Sequence, residues 1–392
     1  MEEKTNEEEK NELQVEEIKK ETEQKQENGA KFSRKNIYLA VGFLVVIVVI
    51  LFGGAFIYNQ FFYKKSFSEI EEIMVNASEK YFANHSNKLP QKYNEAITLS
   101  DTELVDASLM KSINEYLKDD GISCTGKVIV TNINGKYRYT PSLDCGSQYQ
   151  TVFFSDYIKK MVPVVESGSG LYQVNDELVY RGDNVNNYLK LGNNTYRIVK
   201  FSGDSASVIY TEKAESMAWD DRYNLEKEEM YGINDYSVSR VKEYLTSLYK
   251  GDDLLSSSDK MLVVAHNLEI GKRALEDSDK TGGLEKSVVL ENQFIGLLPI
   301  YDYLNASLDK NCTTTASASC MNYNYLSKYR FSWWSLTASN KNTYQVYRID
   351  ANGSASISSG SNNNYVRPVL YLTKEAIYSS GDGTKKNPYI LK

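Results

Sequence analysis

The sequence predicts an α+β protein with a single transmembrane helix and two modules after it. Three observations support this: residues 36–63 contain no charged side chain; a helical period gives way to an Asn-Gly hairpin before residue 165; and beyond residue 170 many strand patterns mix with a few helical ones. We therefore predict a tail at 1–35, a span at 36–63, a membrane-proximal module at 64–165 and a distal module at 170–392.

The predicted span has an apolar core from Ile37 to Tyr58. These 22 residues, at roughly 1.5 Å per helical residue, reach about 33 Å, and a hydrocarbon core is about 30 Å thick. A helix is expected because lipid offers no partner for open backbone groups. The alternative is a buried helix of a soluble domain, which rarely exceeds about 14 apolar residues. No small-x-small cleavage site follows, so we expect an uncleaved anchor whose partner is the lipid bilayer.

Charge and cysteine predict which side of the membrane each part occupies. The chain has 45 basic and 52 acidic residues, a net charge of −7, so no basic excess points to nucleic acid. The first 30 residues hold 11 Glu and 5 Lys, which predicts a disordered acidic tail, with a docking peptide as the alternative.

Three basic residues precede the span and two follow it, which favours a cytoplasmic N-terminus. All four cysteines follow the span, as suits an oxidising exterior. We predict a single-pass type II plasma-membrane protein with an extracellular C-terminal region.

The membrane-proximal module begins with helical periodicity. Apolar residues recur at three- and four-residue steps from Phe67 to Phe82, until Leu89-Pro90 ends the helix. This stripe is expected to pack on its own domain, or alternatively on a partner helix. Ser100 and Glu103 then form a capping-box pattern, which predicts a second helix that stops near Gly121.

A hairpin signal follows at Asn134-Gly135, between two strand-like runs. Such a pair predicts a two-residue type I′ turn. In that register the residue numbers of each facing pair sum to 269, and the numbers of Cys124 and Cys145 have the same sum. The two cysteines therefore face each other at a non-hydrogen-bonded position, where Cα atoms are about 4.5 Å apart. We predict a Cys124–Cys145 disulfide, with two buried free thiols as the alternative. Pro141 is tolerable if its strand lies at a sheet edge.

Two segments of this module carry a resemblance. Cys124-Thr-Gly-Lys-Val-Ile-Val and Lys136-Tyr-Arg-Tyr-Thr-Pro-Ser-Leu-Asp-Cys145 are similar to membrane-anchored pilin-like ectodomains of low-GC Gram-positive bacteria and mollicutes. The resemblance covers about 100 residues. It implies a pilin-like α+β stalk, and hence a structural subunit of an envelope assembly as one possible function.

The distal module shows strand patterns between residues 188 and 210, a helical face between 237 and 250, and a second Asn-Gly pair at Asn352-Gly353. Its Tyr180-Arg, Trp333-Trp-Ser-Leu-Thr, Val366-Arg-Pro-Val-Leu-Tyr-Leu and Gly383-Thr-Lys-Lys-Asn-Pro-Tyr-Ile-Leu resemble an extracellular domain family of Firmicutes. That family is similar to the C-type-lectin-like fold of formylglycine-generating enzymes. The resemblance implies a mixed α+β, C-type-lectin-like module, a fold that hosts both binders and enzymes.

The enzymes of that fold use a closely spaced cysteine pair on copper. Here Cys312 and Cys320 are separated by Thr-Thr-Thr-Ala-Ser-Ala-Ser, which departs from the spacing in the enzymes. We therefore predict a disulfide-closed loop, with a redox or metal role as the alternative, and we do not carry the activity over.

Other patterns of catalytic or metal-binding residues are weak. His85 and His266 have no second His or Cys at metal spacing, so no metal or other cofactor is predicted. Lys280-Thr-Gly282 matches a motif of penicillin-binding enzymes, but the accompanying Ser257-x-x-Lys260 lies only 20 residues away. The sequence thus favours a protein that is not an enzyme.

Aromatic residues suggest recognition instead. The chain has 31 Tyr and 3 Trp, side chains that give rigid contact area, although AT-rich codons alone would enrich Tyr. In an alternating strand Trp333 and Trp334 face opposite ways, and one of them could be exposed. Trp219, Trp333 and Trp334 are therefore the candidate ligand-binding residues. The predicted function is recognition of a carbohydrate or protein ligand; the alternatives are the structural subunit and a cell-surface enzyme.

Overall fold

The computed structural model describes Tyr38, residues 41–48, Ile50 and residues 64–118, 121–283 and 285–392. The chain divides into two compact units. One comprises Met1–Ser66 with Tyr116–Lys118, and the other comprises Phe67–Glu115 with Asp119–Lys392. All the sheets among the described residues belong to the second unit. The predicted acidic tail at 1–35 lies outside the described residues.

The first unit contains the described part of the predicted span. Tyr38, residues 41–48 and Ile50 are helical and exposed. Among the described residues, no helix has the length and apolar character needed to cross a membrane. The rest of the segment at 36–63 lies outside the described residues, so the transmembrane helix stays a prediction.

The N-terminal region, residues 67–165, lies in the second unit except for Tyr116–Lys118, and it combines helices with a three-stranded antiparallel sheet of order β1-β2-β3. Its elements are α1 (Phe67–Asn84), β1 (Ala96–Ser100), α2 (Asp101–Asp106), α3 (Ile113–Leu117), β2 (Thr125–Ile133), β3 (Lys136–Asp144) and α4 (Phe154–Met161). Helix α1 lies on β2 and β3 and buries Ile70, Met74 and Phe82. The predicted apolar stripe therefore packs on its own domain.

The predicted capping box is formed. Glu103 donates its backbone N–H to the Ser100 hydroxyl over 3.3 Å, and the Ser100 N–H donates to the Glu103 carboxylate over 2.8 Å. The prediction of one continuous helix up to Gly121 is wrong. Helix α2 ends at Asp106, because Ser108 adopts a φ of +57°, which a right-handed helix does not accommodate.

The predicted hairpin joins β2 and β3 in the expected register. Asn134 and Gly135 both have positive φ, and facing residues pair from Ile133↔Lys136 out to Thr125↔Asp144. The Cys124–Cys145 disulfide is confirmed, with Cα atoms 4.1 Å apart. Strand β3 lies at the sheet edge, so the missing N–H of Pro141 leaves no gap in a ladder.

The C-terminal region, residues 170–392, is rich in β-structure. Its strands are β4 (Gly170–Val174), β5 (Glu177–Arg181), β6 (Tyr188–Leu191), β7 (Asn194–Ser202), β8 (Ser205–Tyr210), β9 (Ser216–Ala218), β10 (His266–Glu269), β11 (Lys272–Arg273), β12 (Val289–Gln293), β13 (Ile295–Gly296), β14 (Trp333–Ser339), β15 (Gln345–Ile349), β16 (Ala355–Ser359), β17 (Asn363–Tyr365), β18 (Val369–Leu372), β19 (Tyr378–Ser380) and β20 (Tyr389–Leu391). Its helices are α5 (Arg240–Lys250) and α6 (Ile300–Asn305).

Two large sheets organise this region. One follows the order β13-β18-β8-β7-β6-β20-β19, with β5 also paired to β7 and β4 to β5. The other follows the order β16-β15-β14-β17-β9, with β11 beside β14, and β10 pairs separately with β12. Gly251 caps α5 as the sequence predicted, and Pro299 immediately precedes α6. The mixed α+β class is confirmed, with sheets predominating.

Buried contacts join the N-terminal and C-terminal regions. Arg138 on β3 forms a buried ion pair with Glu375, and its guanidinium also donates to the Met261 carbonyl over 2.6 Å. Phe154 of α4 packs with Phe201 and Tyr389 of the C-terminal region. Both regions therefore belong to one compact unit.

Candidate functional site

The tryptophans predicted to bind ligand are all buried. Trp219, Trp333 and Trp334 are 0%, 1% and 0% exposed. The indole of Trp334 donates to the Met217 carbonyl over 2.9 Å, and that of Trp219 to the Ser335 carbonyl over 3.3 Å. Strand β14 lies inside its sheet, and every one of its residues is buried, so both of its faces are covered. We therefore correct the prediction: none of these indoles is available to a ligand in this structure.

The second predicted disulfide is confirmed. Cys312 and Cys320 are bonded, with Cα atoms 4.5 Å apart, and both are buried. The two disulfides together engage all four cysteines and are consistent with an extracellular protein. Among the residues that the structure describes, no group of three or more His, Cys, Asp or Glu side chains could hold a metal ion.

The chemistry of the C-terminal region concentrates on a buried lysine. Lys200 lies on β7 beside a register irregularity that follows Ile198, the kind of bulge that re-aims a side chain. Its ammonium nitrogen is 3.1 Å from a carboxylate oxygen of Asp302 on α6 and 3.1 Å from one of Glu177 on β5. The Lys200 side chain is only 12% exposed and that of Asp302 only 5%.

Further titratable groups surround this lysine. The Tyr301 ring lies with its centroid 5.2 Å from the Lys200 nitrogen, and the Tyr301 hydroxyl donates to Glu269 over 2.7 Å. The His266 imidazole stacks on the Tyr371 ring with centroids 4.0 Å apart. The Tyr301 ring therefore replaces water on one side of the Lys200 ammonium.

Burial shifts the acid–base chemistry of the cluster. It raises the pKa of Asp302 to about 6, against the opposing charge of Lys200. It also lowers the pKa of His266 to about 4, with the positive charge of Lys200 acting in the same direction. Burial tends to lower the pKa of Lys200, but Asp302 and Glu177 outweigh it, so that pKa is raised. Perturbed groups of this kind mark candidate functional sites when they adjoin a cavity.

A cavity does adjoin the cluster. Its volume is about 200 Å³, below the range of about 300–1,000 Å³ that is usual for drug-sized ligands. The lining residues carry mostly charged, amide or hydroxyl groups: Val174, Asn175, Asp176, Glu177, Lys280, Thr281, Lys286, Tyr301 and Asn305. Glu177 and Tyr301 therefore connect the buried cluster to the cavity, which we name the Lys280 pocket.

Beside Lys286, this pocket has a second cation in Lys280, which is half-buried. Burial lowers its pKa, and the positive charge of Arg181 adds to the effect. Arg181 is held nearby because it donates to the carbonyls of Asn305 and Ser307 over 2.8 and 2.9 Å. Among the described residues no carboxylate lies within ion-pair distance of Lys280. The pocket thus offers a half-buried positive charge to a ligand.

Two larger depressions do not adjoin the buried charge cluster. One, of about 380 Å³, has Arg138 and Glu375 at its wall, but these two side chains already pair with each other. The other, of about 570 Å³, is an open hollow along the exposed face of α5. The Lys280 pocket is the smallest of the three and the one that adjoins the buried charge cluster.

Sequence patterns did not single out this site as a site. Lys200, Asp302, Glu177 and Lys280 come from four separate segments, so no spacing rule links them. One signal was present: Asp302 interrupts the run Ile300-Tyr-Asp-Tyr-Leu304, where an otherwise apolar short helix is expected to be buried. A charged residue in such a helix requires a buried partner.

The structure is that of a sheet-rich α+β protein with two disulfide bonds. Comparison with known proteins gives no match to this chain, whether among family models, curated proteins or solved structures.

Proposed function

We propose that this protein is a single-pass cell-surface protein that recognises a carbohydrate ligand through its C-terminal region. The chargeless segment at 36–63 would anchor it in the plasma membrane, with the disulfide-bonded region outside the cell. The exposed apolar side chains of the helical residues 41–48 support an apolar environment for that segment. The disulfides support the extracellular side.

The ligand that fits the Lys280 pocket best is an acidic saccharide. One observation carries this proposal: Lys280 is half-buried, and no carboxylate of the described residues lies within ion-pair distance of it. A carboxylate or sulfate on the sugar would supply the missing charge through a charge-assisted hydrogen bond. Asn175, Thr281 and Asn305 offer groups for sugar hydroxyls, and Tyr301 offers ring surface.

Binding of the full chain in detergent micelles to an array of acidic and neutral glycans tests the proposal. We expect binding to acidic glycans only. Lys280→Gln removes the charge with little change of size, and its affinity should fall about ten- to hundredfold, because a charged hydrogen bond is worth about 1.5–3 kcal/mol. Lys385→Gln, at an exposed position that does not line the pocket, is the matched control and should bind normally.

The proposal would be contradicted if the chain bound no glycan on the array, or if Lys280→Gln bound acidic glycans as tightly as the wild type. Capture of a defined surface protein that Lys280→Gln no longer captures would instead point to an acidic protein ligand. The assembly function is less supported, because the α1 stripe through which it would act packs on β2 and β3.

A further inference from the structure

In the cluster of Lys200, Asp302 and Glu177, one amine contacts two carboxylates that differ in their exposure to solvent. The Asp302 side chain is 5% exposed, whereas that of Glu177 is 33% exposed and lines the Lys280 pocket. Ser202 donates a hydrogen bond to Glu177, which fixes the orientation of that carboxylate. One carboxylate is therefore sealed against the lysine, and the other connects it to the solvent side.

We propose that Lys200 and Asp302 become joined by an intramolecular isopeptide bond, with Glu177 transferring the proton. The amine nitrogen lies 3.1 Å from Asp302 and 3.2 Å from the second oxygen of Glu177. Both reacting groups sit on regular elements, β7 and α6, so the contact is held by the fold rather than by a mobile loop.

The reaction balances without any added reagent. A proton moves from the Lys200 ammonium to the Asp302 carboxylate, which gives a neutral amine and a neutral carboxylic acid. The nitrogen lone pair attacks Cγ of Asp302, and a C–N bond forms. Glu177 accepts the second proton from nitrogen and delivers it to the departing hydroxyl, so a C–O bond breaks and one water molecule leaves. Glu177 is regenerated, and nothing is oxidised or reduced.

The surroundings of Asp302 favour this step, whereas those of Lys200 slow it. The Tyr301 ring covers the amine, and burial raises the pKa of Asp302 to about 6, so this carboxylate takes up a proton more readily than an exposed one. The raised pKa of Lys200 keeps the amine mostly protonated, so bond formation is expected to be slow after folding. The water released can leave past Glu177 into the pocket.

Other lysine pairs provide an internal contrast. Lys159 and Asp204 form an ion pair whose side chains are 44% and 49% exposed. Water competes there for both charges and stabilises them, so the neutral pair is not accessible. Among the lysine ion pairs of the described residues, Lys200–Asp302 is the one in which both side chains are largely sealed from solvent.

The intact mass of the purified full chain, measured after reduction of the disulfides, tests the inference. We expect the wild-type chain to weigh one water molecule less than its sequence. A tryptic digest should contain a branched peptide that joins Lys200 to Asp302. Lys200→Arg should restore the full mass, because a guanidinium is not a nucleophile here. Glu177→Gln should also retain the full mass, or lose water far more slowly.

Lys159→Arg is the matched control and should still lose water. A wild-type chain at its full sequence mass overturns the inference, and this measurement needs no variant to fold. So does a water deficit that persists in Lys200→Arg, because it would then lie elsewhere, for example as a succinimide at Asp382-Gly383. Glycan binding reports on Lys280, so failure of the proposed function is a separate result.

Discussion

Two buried cations of the C-terminal region have similar partners and different surroundings. Arg273 is completely buried and donates to Glu285 over 3.1 Å, to the Thr315 hydroxyl over 2.6 Å and to the carbonyls of Asp277 and Asp279. Lys200 also meets carboxylates at 3.1 Å, but it adjoins the Lys280 pocket through Glu177.

The comparison shows how a buried cation with a structural role differs from one that can take part in a reaction. Hydrogen bonds reach the guanidinium of Arg273 on all three nitrogens, so it holds together residues 273–279, Glu285 and Thr315. Lys200 carries an amine instead of a guanidinium, and burial raises the pKa of the Asp302 carboxylate beside it. A buried charge next to a cavity is therefore the better guide to function than a buried charge alone.

The largest expected effect comes from breaking the Arg273 site. Arg273→Met leaves Glu285 buried without its partner, which should lower the free energy of unfolding by about 3–5 kcal/mol. Urea denaturation of the full chain in detergent measures this. Arg240→Met, in an exposed pair with Glu243, should change the free energy of unfolding little. Equal effects of the two variants would contradict the comparison.

A pH effect distinguishes the surroundings of Lys200. The pKa of His266 in the folded protein, about 4, lies below its ordinary value of 6.5. The unfolded chain therefore binds the proton more tightly, and this contribution to stability is lost as the pH falls from about 6.5 towards 4. The loss amounts to at most about 3 kcal/mol. His266→Asn should flatten this part of the stability profile, and an unchanged profile would exclude His266 as its source.

A smaller effect is expected from one hydrogen bond to Arg273. Thr315→Val removes the hydroxyl that accepts from the Arg273 Nε, and should cost about 1.5–3 kcal/mol because the donor is charged. Thr246→Val, on the exposed face of α5, removes a hydroxyl that donates only to a carbonyl of its own helix and should change stability little. A smaller loss for Thr315→Val than for Thr246→Val would count against the scaffold role of Arg273.

The two Asn-Gly pairs illustrate how far sequence reasoning reaches. At Asn134-Gly135 both residues have positive φ, and the register and the disulfide followed from the turn. At Asn352-Gly353 a hairpin also forms, but Ile349 pairs with Ala355, and of the two residues only Gly353 has positive φ.

Tertiary contacts explain the second turn. The Gly353 carbonyl accepts from the buried Tyr303 hydroxyl, and a Cβ on Gly353 would lie 2.8 Å from Ser327. The turn at Asn134-Gly135 has no such close neighbour among the described residues, and the local sequence predicted its register in detail. At Asn352-Gly353 the local sequence predicted only that a hairpin exists. The candidate site was beyond prediction for the same reason, since its four charged residues meet only through tertiary packing. The prediction that tryptophans bind the ligand was wrong because the alternation of a strand shows which face a side chain lies on, but not what covers that face.

The parallel pairing of β20 with β6 brings together residues 200 positions apart, Leu189 and Tyr389. Tyr389 is also part of the main core, against Phe154. Such distant pairing is entropically costly to nucleate and slows folding. During biosynthesis, the sheet cannot be completed until residues 389–391 have emerged, so a nascent chain stalled before that point exposes an unfinished edge to chaperones and proteases.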